Sequence, residues 1–253
     1  RLLTNTQMDQ WPAGVARVIL DSVDSTMSEA ARRAAQVTTP TWIMAQSQTA
    51  ARGRRGRAWM TPAGNLNATL VFKPQASPSE AAQRSFVAAN ALFQALSIYV
   101  PVEALALKWP NDVLLKGGKV AGILLESSGQ GGCVDWLSIG IGVNLRHTPE
   151  AVQDATFAPT SLKAAGGWDV EPIDFLATLA NAYAAQEALY MTKGFGRIRE
   201  SWLKNAARLG EIITARTSQT EITGIFDTID ENGNLVLITG AGRQAIPAAD
   251  VYF

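Results

Sequence analysis

Four arginines fall within the six residues 52–57 of the run Arg52-Gly53-Arg54-Arg55-Gly56-Arg57-Ala58-Trp59, separated only by glycine. Guanidinium groups are rigid forked donors that match phosphate and carboxylate. Interleaved glycine lets the backbone approach a ligand closely. The chain as a whole is neutral, with 22 Lys+Arg against 22 Asp+Glu, so this is a local concentration of positive charge. That balance argues against non-specific DNA binding as the main task. The run suits a loop that closes over an anion. Taken alone it reads equally as a solvated basic loop. Its unpaired charge and glycine content predict mobility until an anion arrives.

Three further clusters carry chemistry. In Lys108-Trp109-Pro110-Asn111-Asp112-Val113 a cation, an amide and a carboxylate project from one short bend. That set suits phosphate, a ribose or base edge, and Mg²⁺ or an amine; Asn-Asp after Pro is also an ordinary turn. In Gly118-Lys119-Val120-Ala121-Gly122 a lysine enters an apolar strand, and Gly122 leaves bare backbone nearby. An anionic ligand fits there, as does a solvated hairpin lysine. In Ser138-Ile139-Gly140-Ile141-Gly142-Val143-Asn144 two glycines share one strand face, which can admit a flat ligand or mark a bend.

Other chemistries are excluded. Gly118-Lys119 is followed by Val120, so this is not a Walker loop. Gly140-Ile141-Gly142 lacks the third glycine of a dinucleotide fingerprint. Cys133 and His147 are the only residues of their types, which rules out an internal disulfide and a cysteine-based zinc site. No metal-ligating cluster stands out. Arg1-Leu2-Leu3-Thr4 lacks a signal peptide's long apolar core, and no window reaches membrane-spanning length. The expectation is a reduced, soluble, cytoplasmic protein, monomer or homodimer.

The elements that must position these clusters read as mixed α/β. Strands are predicted at Val15–Leu20, Thr41–Ala45, Leu66–Phe72, Leu105–Lys108, Val113–Leu115, Val120–Glu126 and Trp136–Ile141. Helices are predicted from Ser25 to Gln36, with Thr26 and Glu29 at capping-box spacing, and from Ser77 to Ile98. Two more follow near Pro172–Met191 and Ile198–Ala206. After Gly210 come short strands at Glu211–Arg216, Glu221–Ile229 and Leu235–Ile238, the last two joined by the hairpin signal Glu231-Asn232-Gly233-Asn234. This predicts two domains, 1–208 and a small β-barrel at 209–253.

In this order the clusters resemble the biotin–protein ligases, enzymes also called biotin–[biotin carboxyl carrier protein] ligases. The resemblance rests on Asp24-Ser25-Thr26, Gln48, the arginine run, Lys108-Trp109-Pro110-Asn111-Asp112, Gly118-Lys119-Val120-Ala121-Gly122-Ile123-Leu124 and Gly140-Ile141-Gly142-Val143-Asn144. It spans about Val15 to Leu145, and the tail matches that family's SH3-like C-terminal domain in size and place. It implies a synthetase-like mixed sheet flanked by helices, ATP-dependent formation of biotinyl-5′-AMP, and transfer of biotin to one lysine of a carrier protein. Biotin and ATP are the implied substrates, with Mg²⁺.

The resemblance also implies roles. Ser25, Thr26 and Gln48 would bind the ureido head, where their rival roles are helix capping and surface polarity. Arg52, Gly53 and Arg54 match the loop that orders over the adenylate, and Lys119 would face the carboxylate and α-phosphate. Gly122, Gly140 and Gly142 would floor the biotin site. Arg55, Arg57, Trp59, Lys108, Asn111, Asp112 and Asn144 would lie on the nucleotide side. Lys119, Arg54 and Asp112 are the implied catalytic set. Asp112 would serve Mg²⁺ or the acceptor lysine, and Trp59 would stack on adenine or fill the loop's base.

One departure is Ala51, where the family usually has glycine; a positive φ there would cost about 1 kcal/mol. The residues before Ser25 are too few for a winged helix-turn-helix, so a monofunctional form without DNA binding is expected. A lipoate or other acyl ligase on the same scaffold is the rival enzyme. A nucleic-acid module is disfavoured, because Arg216 and Arg243 are the only cations after Gly210.

Overall fold

The computed structural model describes residues 11–59, 61–150 and 156–253, and the reading of Arg1–Thr4 lies outside them. β1 (Ala16–Val23) leads to α1 (Thr26–Arg33), β2 (Thr41–Gln48) and β3 (Leu66–Phe72). After α2 (Pro78–Ala82) and α3 (Arg84–Leu96) come β4 (Leu105–Lys108), β5 (Asp112–Leu115), β6 (Gly118–Gln130) and β7 (Cys133–Val143). Three helices follow: α4 (Leu162–Gly166), α5 (Pro172–Lys193) and α6 (Phe195–Lys204). The remaining strands are β8 (Ile212–Arg216), β9 (Glu221–Ile229), β10 (Leu235–Thr239), β11 (Gly242–Ile246) and β12 (Asp250–Tyr252).

The first seven strands form one sheet in the order β1-β2-β3-β7-β6-β5-β4. Only β1 and β2 run parallel, and the other neighbours are antiparallel. Alternation divides the sheet's faces. Leu66, Ala68, Leu70 and Phe72 of β3 join Leu137, Ile139 and Ile141 of β7 in the main core with α3 and α5. Val71 of β3 instead packs with Ile43, Ala30 and Ala34 beneath α1. The even-numbered residues of β7 and the odd-numbered residues of β3 therefore share the α1 side. That side carries the candidate site.

Local chemistry accounts for the element ends. Ser25, with extended backbone, caps α1 by accepting from the Ser28 amide, so the cap is Ser25 and not the Thr26–Glu29 pair. Glu29 is engaged by Arg32 and Arg33 instead. Ser77 and Glu80 complete a reciprocal capping box at α2, with Pro78 in the first turn. The long helix expected from Ser77 to Ile98 is divided at Gln83, where the Phe86 amide donates to the Gln83 carbonyl three residues back. The β5–β6 hairpin turns on Lys116 and Gly117, both at positive φ, as a two-residue turn of primed type requires.

The second sheet is antiparallel throughout, in the order β11-β10-β9-β8-β12. It is joined to the first layer by Phe226 against Trp202 and by a bond from the Trp109 indole N–H to the Gly233 carbonyl. β11 and β12 have no counterpart in the sequence reading. β11 is Gly-Arg-Gln-Ala-Ile, with little apolar alternation, and β12 has only three residues. Among the described residues no helix is long and apolar enough to cross a membrane.

One charge is sealed between helices. Arg84 of α3, 2% exposed, meets Glu187 of α5 at 2.8 Å and stacks over Tyr190. Glu187→Leu should cost about 3 kcal/mol in urea denaturation by stranding that guanidinium. Arg84→Met with Glu187→Leu should recover most of it.

Candidate functional site

The four clusters converge on one pocket on the α1 side of the seven-stranded sheet. Its lining includes Ser25, Thr26, Gln48, Arg52, Gly53, Arg54, Arg57, Trp59, Lys108, Asn111, Asp112, Lys119, Gly122, Gly140, Gly142 and Asn144. Every implied site residue is therefore brought together except Arg55, which points to the rim. There it meets Asp250 at 2.7 Å, half exposed.

At one end Ser25 and Thr26 are buried at the start of α1. The Thr26 amide donates to Gln48 Oε1 at 2.8 Å, and the Thr26 and Thr69 hydroxyls share a hydrogen bond at 2.9 Å. Helix capping and pocket lining thus coincide at Ser25: its hydroxyl caps α1, and the residue still borders the cavity.

At the other end the antiparallel β4–β5 pair sets Lys108 directly opposite Asp112. Lys119 Nζ lies 2.9 Å from Asp112 Oδ1, and Lys108 Nζ lies 3.7 Å from Oδ2. Lys108 also donates to Thr156 Oγ1 at 2.9 Å and sits 4.5 Å from the Phe157 ring centroid. Burial pulls the Lys108 ammonium down to about 8, with Asp112 acting in the opposite direction. Lys119 is held at the backbone as well: its N–H donates to the Ala158 carbonyl, and its carbonyl accepts from the Thr160 amide. It is no solvated hairpin lysine. Asn111 Nδ2 donates to the Ile123 carbonyl at 2.6 Å. Asn144 reaches the Lys119 carbonyl only at 3.4 Å.

Between the two ends the glycines keep the floor bare. Gly122 and Gly142 are direct partners on β6 and β7. A Cβ on Gly142 would fall 2.6 Å from the Trp59 indole, and one on Gly122 would touch both Trp59 and Lys119. A Cβ on Gly140 would fall 2.6 Å from Met27 Sδ. The flat group seated on Gly122 and Gly142 is thus the protein's own indole.

The arginine run corrects one expectation, since its charge is not unpaired. Arg52 forms a forked pair with Glu126 and donates to Ser28 Oγ. Arg55 and Arg57 meet the Asp250 carboxylate at 2.7 and 3.1 Å, with Arg54 at 3.9 Å. The segment closes on itself through an isolated bridge between Arg52 and Ala58. Arg55 takes the strained positive φ, at 57°, whereas Ala51 does not, so alanine at 51 costs no backbone strain.

Sequence reasoning missed Asn67, Thr156, Phe157 and Asp250, all of which line the pocket. Asp250 comes from the second sheet and carries no motif. Thr156 and Phe157 lie in an irregular segment whose only signal is proximity in space.

Such a pocket can hold two anions close together, which is the requirement for joining an acid to a nucleotide phosphate. Residues 19–144 match the biotin/lipoate A/B protein ligase family, and residues 209–253 match the biotin protein ligase C-terminal domain. The chain belongs to the biotin protein ligases, on those matches together with the relatives that follow. It is 51% identical over 238 residues to the biotin–[acetyl-CoA-carboxylase] ligase of Paracoccus denitrificans, covering 93% of this chain and 99% of that protein. It is 31% identical to the bifunctional ligase/repressor BirA of Bacillus subtilis, covering 92% of this chain and 71% of that protein. Among solved structures, the biotin protein ligase from Aquifex aeolicus in complex with biotin and ATP superposes with a TM-score of 0.78 at 27% identity, covering 93% and 98% of the two chains.

Two tests follow. Affinity for a phosphate ligand, probed with ATP by calorimetry, should fall as pH rises through about 8, where Lys108 loses its proton, by up to about tenfold per unit. Lys108→Met should be weaker throughout and lack that dependence. Folding lowers this group's pKa, so the unfolded chain binds more protons between about 8 and 10.5. Stability should therefore rise with pH across that window in the native protein, and the rise should shrink in the variant.

Asp250→Asn should accelerate tryptic cleavage after Arg54, Arg55 and Arg57 several-fold in the ligand-free protein. Mass spectrometry of a digestion time course gives the rates, and cleavage equal to that of the native chain would show that the tie does not hold the loop.

Proposed function

We propose a division of labour within this pocket for the activity that the family carries: ATP-dependent activation of biotin and its transfer to a carrier protein. Convergence of the arginine run, the Lys108–Asp112 bend, Lys119 and the paired glycines on one pocket supports the reading. Ser25, Thr26 and Gln48 bind the ureido head, whose buried polar atoms need partners. The acyl chain runs toward Lys119 past Gly140, beside the Trp59 indole that covers Gly122 and Gly142. Arg52, Gly53 and Arg54 close over it, and Arg55, Arg57, Trp59, Lys108, Asn111 and Asn144 address the nucleotide.

In the first step a biotin carboxylate oxygen attacks the α-phosphorus and the bond to pyrophosphate breaks. Two anions approach, so fixed positive charge is most valuable there. Lys119 supplies it from one side and Arg54 from the other. Phosphate oxygens take over the two ammonium groups that Asp112 holds, and the freed carboxylate receives the acceptor amine. That lysine then attacks the acyl carbonyl and AMP leaves.

Among the described residues no three His, Cys, Asp or Glu side chains converge on a metal position. Mg²⁺ would enter with ATP, and Asp112 is the pocket carboxylate that would hold it on the protein side. Bound so, it supplies charge neutralisation on the phosphates. We assign the acceptor as a biotin carboxyl carrier protein and the location as the cytoplasm.

Lys119→Ala should slow adenylate formation about a hundredfold and carrier transfer much less. Single-turnover kinetics separate the two: biotin with ATP and no carrier, then preformed biotinyl-5′-AMP with carrier. Slowing confined to the second arrangement would move Lys119 to the acceptor side.

A further inference from the structure

Four buried side-chain atoms among the described residues have no hydrogen-bond partner: Asn67 Nδ2, Asn90 Oδ1, Ser138 Oγ and Gln186 Oε1. Of these residues only Asn67 lines the pocket. It is 2% exposed, on the central strand β3, opposite Gly142 of β7. Strand alternation puts it on the same face as Thr69, which bonds Thr26. Asn67 thus lies between the end formed by Thr26 and Gln48 and the part of the floor covered by Trp59.

An amide sealed in a core without a partner costs stability relative to an apolar side chain of the same shape. The hydrogen-bonding groups of its neighbours are partly spent inside the protein. Gln48 Oε1 accepts from the Thr26 amide, the Ser25 hydroxyl caps α1, and the Thr26 hydroxyl is shared with Thr69. Asn67 Nδ2 is the one buried side-chain donor of this pocket without a partner among the described residues.

We propose that Asn67 is a further specificity-determining residue, whose side-chain amide hydrogen-bonds the acyl substrate on the pocket floor between the Thr26–Gln48 end and Gly142. The inference rests on the acyl-binding reading given above. It makes the free protein carry an unpaired amide that only the substrate satisfies. Binding therefore gains specificity at a polar contact that an analogue without the matching group leaves unmade.

The test uses the full chain and two variants. Asn67→Leu keeps the volume and removes the polar atoms; Asn67→Ala removes them without any risk of overpacking. Calorimetry gives Kd for biotin and, separately, for ATP, and thermal unfolding gives Tm of the free protein. The expected result is a loss of about tenfold in biotin affinity in both variants, ATP affinity within twofold of native, and a Tm for Asn67→Leu equal to or above native. That last sign is one a merely structural asparagine does not give. Unchanged biotin affinity would overturn the proposal, as would a loss confined to ATP, which would assign the amide to the nucleotide. Equal loss of both affinities with a lowered Tm would make Asn67 a scaffold residue and also overturn it. If the native chain fails to bind biotin at all, the acyl-binding reading falls instead, and the two failures are told apart.

Discussion

Carboxylates hold the cations of this pocket in place: Glu126 takes Arg52, and two more serve the rest. Asp112 takes the ammonium groups of Lys108 and Lys119, and Asp250 takes the guanidiniums of Arg55 and Arg57, with Arg54 further off. Without them, positive charge gathered in a partly buried cavity would repel itself and lose its hydration. With them, the cations are assembled in one place around fixed anions. The bends and registers of the first sheet serve this arrangement. The β4–β5 pair sets Lys108 against Asp112, and the tight turn at Lys116-Gly117 returns Lys119 to the same carboxylate.

The depressed Lys108 ammonium follows from the same geometry. It is the most enclosed of these cations, so burial outweighs the pull of Asp112 and of the more distant Asp250. Lys119 is more open and lies closer to Asp112. Two lysines on one carboxylate are thereby made unequal in burial and in distance from it.

Much of this was legible in the sequence because it is local. Leu66–Phe72, Leu105–Lys108 and Glu221–Ile229 have the strand bounds that their patterns gave, and the four clusters that carry chemistry do meet. What was not legible depends on distant partners. The arginines look unpaired in sequence because Asp250 and Glu126 lie far along the chain. Gly142 looks like room for a flat ligand, and the indole that fills it belongs to a loop before β3. Asn67 carries no signal in the sequence, and its unpartnered amide nitrogen shows only in the folded chain. The cap of α1 is open between Ser25 and Thr26 in sequence because both qualify chemically, and backbone geometry selects Ser25.

The tie between Arg55 and Asp250 joins residues 195 positions apart. On a ribosome, the arginine segment and all seven strands of the first sheet are made before β12, the strand that fastens the segment. A nascent chain can therefore assemble the floor of the pocket while its roof has no anchor. The ties of Arg54, Arg55 and Arg57 to the second sheet can form only once its last strand has left the ribosome.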